Sequence, residues 1–232
     1  SISFRDAKFG QCVTDTATTN NWTMTHHVRE LSCDNMGITS TDEIVEFANL
    51  ELLFVSNNEL TTLDFSNNPS LAVLDADNNQ LTTLNVSNNP KLNSLRVRNN
   101  QLATLDISNN LELTDVKLSD NRLTNLDVGN NPALYILGVS DNQLIALDVS
   151  NNPDLASLGA SSNRLTVLDV SNNPQLSTLH AFTNQLTDLD VSNNSKLVTL
   201  TVSSNQITTL DLSNNPNLHT FQGQSNQLTT LD

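Results

Sequence analysis

One hydrophobic pattern recurs along most of the chain. An aliphatic residue, preceded two positions earlier by an asparagine, returns every 21 residues. The series starts with Asn58 and Leu60, contains nine such pairs, and ends with Asn226 and Leu228. A fixed period of this length is typical of stacked structural units that contact only their neighbours. The pattern therefore predicts a solenoid.

Each period divides into two similar halves of 11 and 10 residues. One half reads LxxLxAxxNxL from Leu71 to Leu81, and the other repeats LxxLxφxxN from Leu60. Halves this short leave no room for a full helix. We therefore expect two narrow parallel sheets, or one sheet opposed by extended segments. Because alternate residues of a strand point to the same side, the side chains predicted to face inward include Leu63, Phe65, Leu74 and Ala76.

An asparagine closes each half of the period. We expect its side chain to turn inward at the corner, where its amide can bond backbone groups that the bend leaves unpaired. The asparagines are therefore interpreted as structural rather than functional.

These motifs resemble a bacterial subclass of leucine-rich repeats with the pattern LxxLxLxxNxLxxLDLxxNxx, and they cover residues 50–232 without a gap. The resemblance implies an α/β repeat fold that is mostly β: a leucine-rich-repeat solenoid of 21-residue coils with parallel sheets and a small helical N-terminal cap. The chain is similar to internalin-type extracellular proteins, which commonly serve adhesion or contact with a host or substrate. The resemblance thus implies a non-catalytic recognition module.

The N-terminal region departs from the repeat. The segment 28–33 aligns with 50–55 at a spacing of 22, so the solenoid is predicted to begin at residue 28 and to extend over 28–232. Residues 1–27 are predicted to form a cap, because their apolar residues fall at mostly helical spacing. A second short helix is expected near residues 41–47, which start with a plausible N-cap followed by acidic residues.

Two cysteines connect these regions. Cys12 lies in the cap and Cys33 under the first predicted strand, and a disulfide between them would pin the cap; two buried free thiols are the alternative. A disulfide implies an oxidising compartment, hence a secreted or surface-exposed protein. Residue 1 is Ser, which suggests a removed signal peptide. The sequence stops inside a Leu-x-x-Leu-Asp half, so we expect further C-terminal residues or domains.

Charge and composition exclude several functions. The net charge of −15 disfavours nucleic-acid binding, and no apolar run approaches the roughly 20 residues that insertion in a membrane needs. The four histidines are scattered, and neither phosphate-loop nor zinc spacing occurs. We therefore expect no enzyme activity, no cofactor and no metal site.

One face of the predicted solenoid is nearly uniform. An outward aspartate recurs every 21 residues, which suggests a structural bond to the adjacent corner; a calcium ladder is the alternative. Flanking threonines and serines could match a periodic surface such as ice or a polysaccharide, although threonine also suits solvated strands. The aspartate column is Asp64, Asn85, Asp106, Asp127, Asp148, Asp169, Asp190, Asp211 and Asp232.

The other face varies from turn to turn, so we expect it to carry the function. Its cations form a predicted cluster with neighbouring aspartates, which is interpreted either as cross-strand ion pairs, such as Asp75–Arg96 and Asp77–Arg98, or as a partner site. Tyr135 at the edge and the bare Gly138 and Gly159 would make a shallow floor next to these charges. The candidate binding residues are Asp75, Asp77, Arg96, Arg98, Asp115, Lys117, Arg122 and Tyr135, with His180 and Phe182 as a second candidate group.

The expected function is adhesion or recognition of a protein or glycan through this variable face. Two alternatives remain: a structural spacer in a larger surface protein, and binding of a periodic surface by the uniform face.

Overall fold

One parallel sheet runs along the solenoid in the computed structural model, which describes residues 2–231. The strands are β1 (Glu30–Ser32), β2 (Leu52–Phe54), β3 (Val73–Asp75), β4 (Ser94–Arg96), β5 (Asp115–Lys117), β6 (Ile136–Gly138), β7 (Ser157–Gly159), β8 (Thr178–His180), β9 (Thr199–Thr201), β10 (Thr209–Leu210), β11 (Thr220–Gln222) and β12 (Thr230–Leu231). Ten of them pair in the order β1-β2-β3-β4-β5-β6-β7-β8-β9-β11. Neighbours from β2 onwards are in register at the predicted interval of 21 residues, and β1 pairs with β2 at 22.

The opposite half of each turn is extended but scarcely paired. Its strand pairing in the described residues consists of an isolated bridge between Asp64 and Asn85 and the short pair β10–β12. A tight turn follows each segment at once, as where Asn68 N–H donates to the Phe65 carbonyl at 3.1 Å. The second predicted alternative, one sheet opposed by extended segments, is therefore confirmed.

The core is a narrow column of stacked aliphatic side chains. The middle residue of every strand from β1 to β9 is fully buried. Among the four residues predicted to face inward, Leu63, Phe65, Leu74 and Ala76 are all buried. Because each turn contacts only the next, this core grows by one layer per turn.

The asparagines at the end of the strand half form a first row that bonds successive turns. In Asn79, Nδ2 donates to the carbonyls of Val55 at 2.9 Å and Ala76 at 3.1 Å, while Oδ1 accepts from Leu60 N–H at 3.0 Å. The preceding residue is left-handed, as in Asn78 with φ 56°. The predicted corner role is therefore confirmed. The first row comprises Asn58, Asn79, Asn100, Asn121, Asn142, Asn163, Asn184, Asn205 and Asn226.

A second asparagine row closes the opposite half and is bonded less completely. Nδ2 of Asn89 donates to the carbonyls of Phe65 at 3.2 Å and Asn68 at 2.8 Å. Its Oδ1 is buried and has no hydrogen-bond partner among the described residues, and the same holds along the row. The second row comprises Asn68, Asn89, Asn110, Asn131, Asn152, Asn173, Asn194 and Asn215.

The N-terminal end is covered by the helix α1 (Ala7–Thr19). Asp6 caps this helix and also accepts three hydrogen bonds from Thr39 and Ser40. Burial alone would raise the pKa of Asp6, but these hydrogen bonds outweigh it and lower the pKa to about 2. The carboxylate therefore ties the cap to the solenoid.

A disulfide joins Cys12 in α1 to Cys33, which directly follows β1. The short helix predicted near residues 41–47 is present as the 3-10 helix Asp42–Glu46, and a second 3-10 helix spans Thr25–His27. Among the described residues, no helix combines the length and the apolar character needed to cross a membrane.

Candidate binding face

The solenoid presents two unlike surfaces. We call the outward side chains of the ten-stranded sheet, together with those two residues beyond each strand, the sheet face. The opposite face consists of the outward side chains of the other half-turn. All candidate binding residues except Arg122 and Tyr135 lie on the sheet face.

Three charged side chains on β4 and β5 form a triad. The Asp115 carboxylate accepts hydrogen bonds from Arg96 at 3.0 Å and from Lys117 at 3.3 Å, both through the same oxygen, Oδ2. Two cations therefore share one anion. Arg96 Nε and Asp115 Oδ1 are buried without a hydrogen-bond partner among the described residues, so the triad is not internally satisfied.

A separate ion pair lies beside the triad. The Asp77 carboxylate accepts from the Arg98 guanidinium, with Nε at 2.8 Å and Nη2 at 2.6 Å, and from the Arg98 backbone N–H at 2.6 Å. The Asp77 side chain is only 5% exposed, whereas that of Arg98 is 48% exposed. This pair is self-contained and matches the predicted cross-strand pairing.

The predicted pairing of Asp75 with Arg96 is wrong. Arg96 turns away to Asp115, while the Asp75 carboxylate accepts from Asp77 N–H at 3.2 Å. Burial raises the pKa of Asp75, and the nearby carboxylates of Asp77 and Asp34 add to this effect. Asp75 therefore lies directly beside the triad, opposite Arg96 in the strand register, without forming an ion pair of its own.

The remaining candidates lie around this cluster. Arg122 is exposed beyond the corner residue Asn121, in a row occupied mostly by glutamine, so it lies outside the sheet face. His180 Nδ1 lies 2.8 Å from Thr201 Oγ1, and partial burial lowers the pKa of its imidazole. Phe182 is 40% exposed. The second candidate group therefore combines a half-buried imidazole with an accessible ring.

Tyr135 precedes β6 at the edge of the sheet, and 56% of the residue is exposed. It borders an open depression of about 560 Å³ that the sequence did not reveal. Small residues beside an aromatic one in the same edge column were the available signal. The depression is lined by Thr114, Ala133, Tyr135, Asp154, Ala156, Gln175, Ser177 and Lys196.

On the opposite face, each carboxylate of the aspartate column closes its own turn. Asp148 Oδ1, for example, accepts from Ser150 N–H at 2.9 Å, and the same bond recurs from Asp64 to Asp211. The hydroxyl and N–H of that serine lower the pKa of Asp106, Asp148 and Asp211. The predicted structural bond to the corner is confirmed; Asp232 lies outside the described residues.

The threonine columns of the opposite face are exposed but interrupted. Ile145 and Val167, which are 66% and 69% exposed, replace threonine in neighbouring turns. The hydroxyl array therefore lacks the regularity that a periodic ligand would match.

No protein-family profile matches the sequence, and no curated protein matches it. Among solved structures, the functional domain of InlJ from Listeria monocytogenes is 30% identical with a TM-score of 0.71, and the match covers 90% of this chain. The fold is that of a leucine-rich-repeat solenoid. The match covers 56% of the InlJ chain, so this solenoid spans little more than half of that length.

Two further structures show the same fold. Internalin C2 from Listeria monocytogenes has a TM-score of 0.70 at 19% identity, with 99% of this chain and 94% of that chain covered. The LRIM1/APL1C complex gives a TM-score of 0.72 at 26% identity, with 86% and 40% covered. The InlJ domain includes a cysteine ladder, whereas this leucine-rich-repeat solenoid has two cysteines, both in its one disulfide.

Proposed function

We propose that this chain is a non-catalytic recognition module of a secreted or surface-attached bacterial protein, and that its sheet face binds a protein partner through an acidic segment. The observation that carries the proposal is the triad of Arg96, Asp115 and Lys117, in which two cations share one carboxylate. In a chain of net charge −15, such a local excess of positive charge favours an anionic partner.

The triad is a poor stabilising device. A surface ion pair contributes about 0–1 kcal/mol. Arg96 Nε and Asp115 Oδ1 are buried without partners among the described residues, and each unmade hydrogen bond of this kind costs about 1–3 kcal/mol. The ion pairs therefore do not offset the unmade bonds, which favours a role in binding over one in stability.

The two glycines next to the triad also favour a role in binding. An added Cβ at Gly138 would lie 3.7 Å from Ser119 Oγ, and one at Gly159 would lie 3.4 Å from Ser140 Oγ, both ordinary contacts. Neither glycine has a positive φ. Glycine within a strand costs about 0.5–1 kcal/mol relative to alanine, so the fold does not require these residues. Their bare backbone lets a partner approach the sheet closely beside Lys117.

Similarity and compartment support the rest of the proposal. A leucine-rich-repeat solenoid at 26% identity was solved as the LRIM1/APL1C complex, so this fold can present a surface to another protein chain. The Cys12–Cys33 disulfide suits a protein that functions outside the reducing cytosol. The 30% identity to a domain from Listeria monocytogenes supports a bacterial source.

A displayed library of random peptides, selected on the immobilised chain, tests the proposal. We expect the enriched peptides to be acidic and to bind a double variant, Arg96→Glu with Lys117→Glu, at least roughly tenfold more weakly. The matched control is Lys91→Glu with Arg164→Glu, which changes the net charge equally at exposed positions outside the sheet face. Enriched peptides that bind both double variants equally well would contradict the proposal.

A further inference from the structure

The depression beside Tyr135 lies at the edge of the sheet, outside the proposed protein-binding face. We propose that it binds one ring of a neutral saccharide. This inference is independent of the protein partner proposed above, because it rests on a different row of residues.

The aromatic wall of this depression is not required by the scaffold. Tyr135 is the only tyrosine of the chain, and it stands in an edge column whose other members are charged, polar or small aliphatic. That column reads Glu51, Ala72, Asn93, Thr114, Tyr135, Ala156, Ser177, Val198 and His219. An exposed tyrosine offers an apolar ring face together with a hydroxyl, which is typical of binding sites.

The floor next to the ring is formed by small side chains. Ala156 and Ser177 follow Tyr135 in the next two turns, and strands about 4.8 Å apart place them side by side. Each backbone is tied to the turn before it: the Tyr135 carbonyl accepts from Ala156 N–H at 2.9 Å, and the Ala156 carbonyl accepts from Ser177 N–H at 2.9 Å. The ring therefore stands beside a rigid space two turns wide.

The outer wall supplies polar groups suited to hydroxyls. Asp154 offers a carboxylate, and Gln175 offers an amide that already contacts the Lys196 ammonium. Carboxylate and amide groups can each bond two neighbouring hydroxyls at once. Asp154 and Lys196 have opposite charges, so the wall is neutral and favours an uncharged ligand over an ion. A sugar ring has C–H groups on one face and hydroxyls at its rim, so it can stack on the Tyr135 ring and bond the polar groups of the outer wall.

The experiment uses the intact chain and an array of neutral oligosaccharides, followed by titration calorimetry with the best binder. We expect Tyr135→Ala, and Ala156→Leu, which fills the floor, each to weaken binding at least roughly tenfold. Tyr135→Phe keeps the ring and is expected to stay within about threefold. The matched controls are His219→Ala in the same edge column and Glu112→Gln, which stands two turns before Asp154 in the same row. Both should leave the affinity unchanged.

Several results would overturn the inference. They are an array without a neutral binder, an affinity that Ala156→Leu leaves unchanged, and capture of peptides instead of saccharides at Tyr135. The double variant Arg96→Glu with Lys117→Glu separates this site from the proposed function. If that variant abolished saccharide binding while Tyr135→Ala did not, the edge site would be wrong and the sheet face would be the saccharide site. Circular dichroism confirms that each variant is folded.

Discussion

The two halves of each turn use the same residue types for different purposes. On the opposite face, an aspartate carboxylate accepts a hydrogen bond from the serine two residues later in turn after turn, so the carboxylate is bonded within its own corner. On the sheet face, Asp77 and Asp115 bond cations from a neighbouring strand. Residues that recur in every turn are therefore those that the scaffold requires, whereas residues that break the repeat indicate where binding can reside. Four changes test this contrast.

The largest expected effect concerns the two asparagine rows. Replacing Asn142 with Ala removes one of two side-chain donors from each of the Leu118 and Val139 carbonyls and leaves Leu123 N–H without its partner. Two lost bonds at about 1 kcal/mol each and one unpaired N–H at about 1–3 kcal/mol predict a loss of about 3–5 kcal/mol in the free energy of unfolding. Asn152→Ala removes two donated bonds and a side-chain oxygen that has no partner, so we expect a loss of about 2 kcal/mol. Urea denaturation of both variants measures the difference, and equal losses would contradict it.

The second effect concerns carboxylates on the two faces. Asp77→Ala removes three hydrogen bonds to Arg98 from a buried position, so we expect a loss of about 2 kcal/mol. Asp148→Ala removes one bond to Ser150 N–H at an exposed position and should cost much less. Thermal unfolding of the two variants under identical conditions compares them. A larger loss for Asp148→Ala would show that the opposite face, not the sheet face, depends on its carboxylates.

A third change tests the left-handed backbone position at the corner that follows each strand of the sheet. The left-handed position there holds asparagine in Asn57, Asn78 and Asn99, but Thr183, with φ 55°, is β-branched. A left-handed conformation costs most residues about 1–2 kcal/mol and asparagine less. We therefore expect Thr183→Asn to stabilise the chain by about 0.5–1 kcal/mol. Denaturant titration checks the sign, and a loss of stability would mean that Thr183 serves a packing role.

The smallest expected effects are two pH-dependent changes in stability that have opposite signs on the two faces. Burial raises the pKa of Asp75, so its ionisation opposes folding as pH rises from the unfolded towards the folded pKa. The Ser171 hydroxyl and N–H lower the pKa of Asp169, so its contribution favours folding above the unfolded pKa and is lost as pH falls through the folded pKa. At pH 7 we expect Asp75→Asn to stabilise and Asp169→Asn to destabilise; the first effect vanishes below the unfolded pKa of about 4, and the second is lost only as pH falls through the lowered folded pKa. Unfolding curves at pH 7 and at successively lower pH show whether the two signs differ.

Much of the fold follows from the spacing of residues. The 21-residue period predicts the register of every strand pair from β2 onwards, and the offset of 22 before it predicts the pairing of β1 with β2. The inward columns and the corner asparagines follow because strand alternation and backbone hydrogen bonding leave few other places for those side chains. The cap follows from the helical spacing of residues 4–17.

The candidate site is less predictable because it depends on side-chain directions. Sequence order suggested that Arg96 would pair with Asp75 on the strand before, but the guanidinium reaches Asp115 on the strand after. Periodicity treats these neighbours alike, and only the positions of competing donors decide between them. The depression beside Tyr135 was missed because its lining residues come from successive turns, which lie 21 residues apart in sequence.

The central claim is that the sheet face is the surface that binds a protein partner. The most direct measurement is the change in amide chemical shifts on adding the tightest peptide from the displayed library to the isotope-labelled chain. The account predicts that the shifted amides cluster along β4 to β8, around Arg96, Lys117 and Gly138. Shifts centred on the aspartate column, from Asp106 to Asp190, would contradict it.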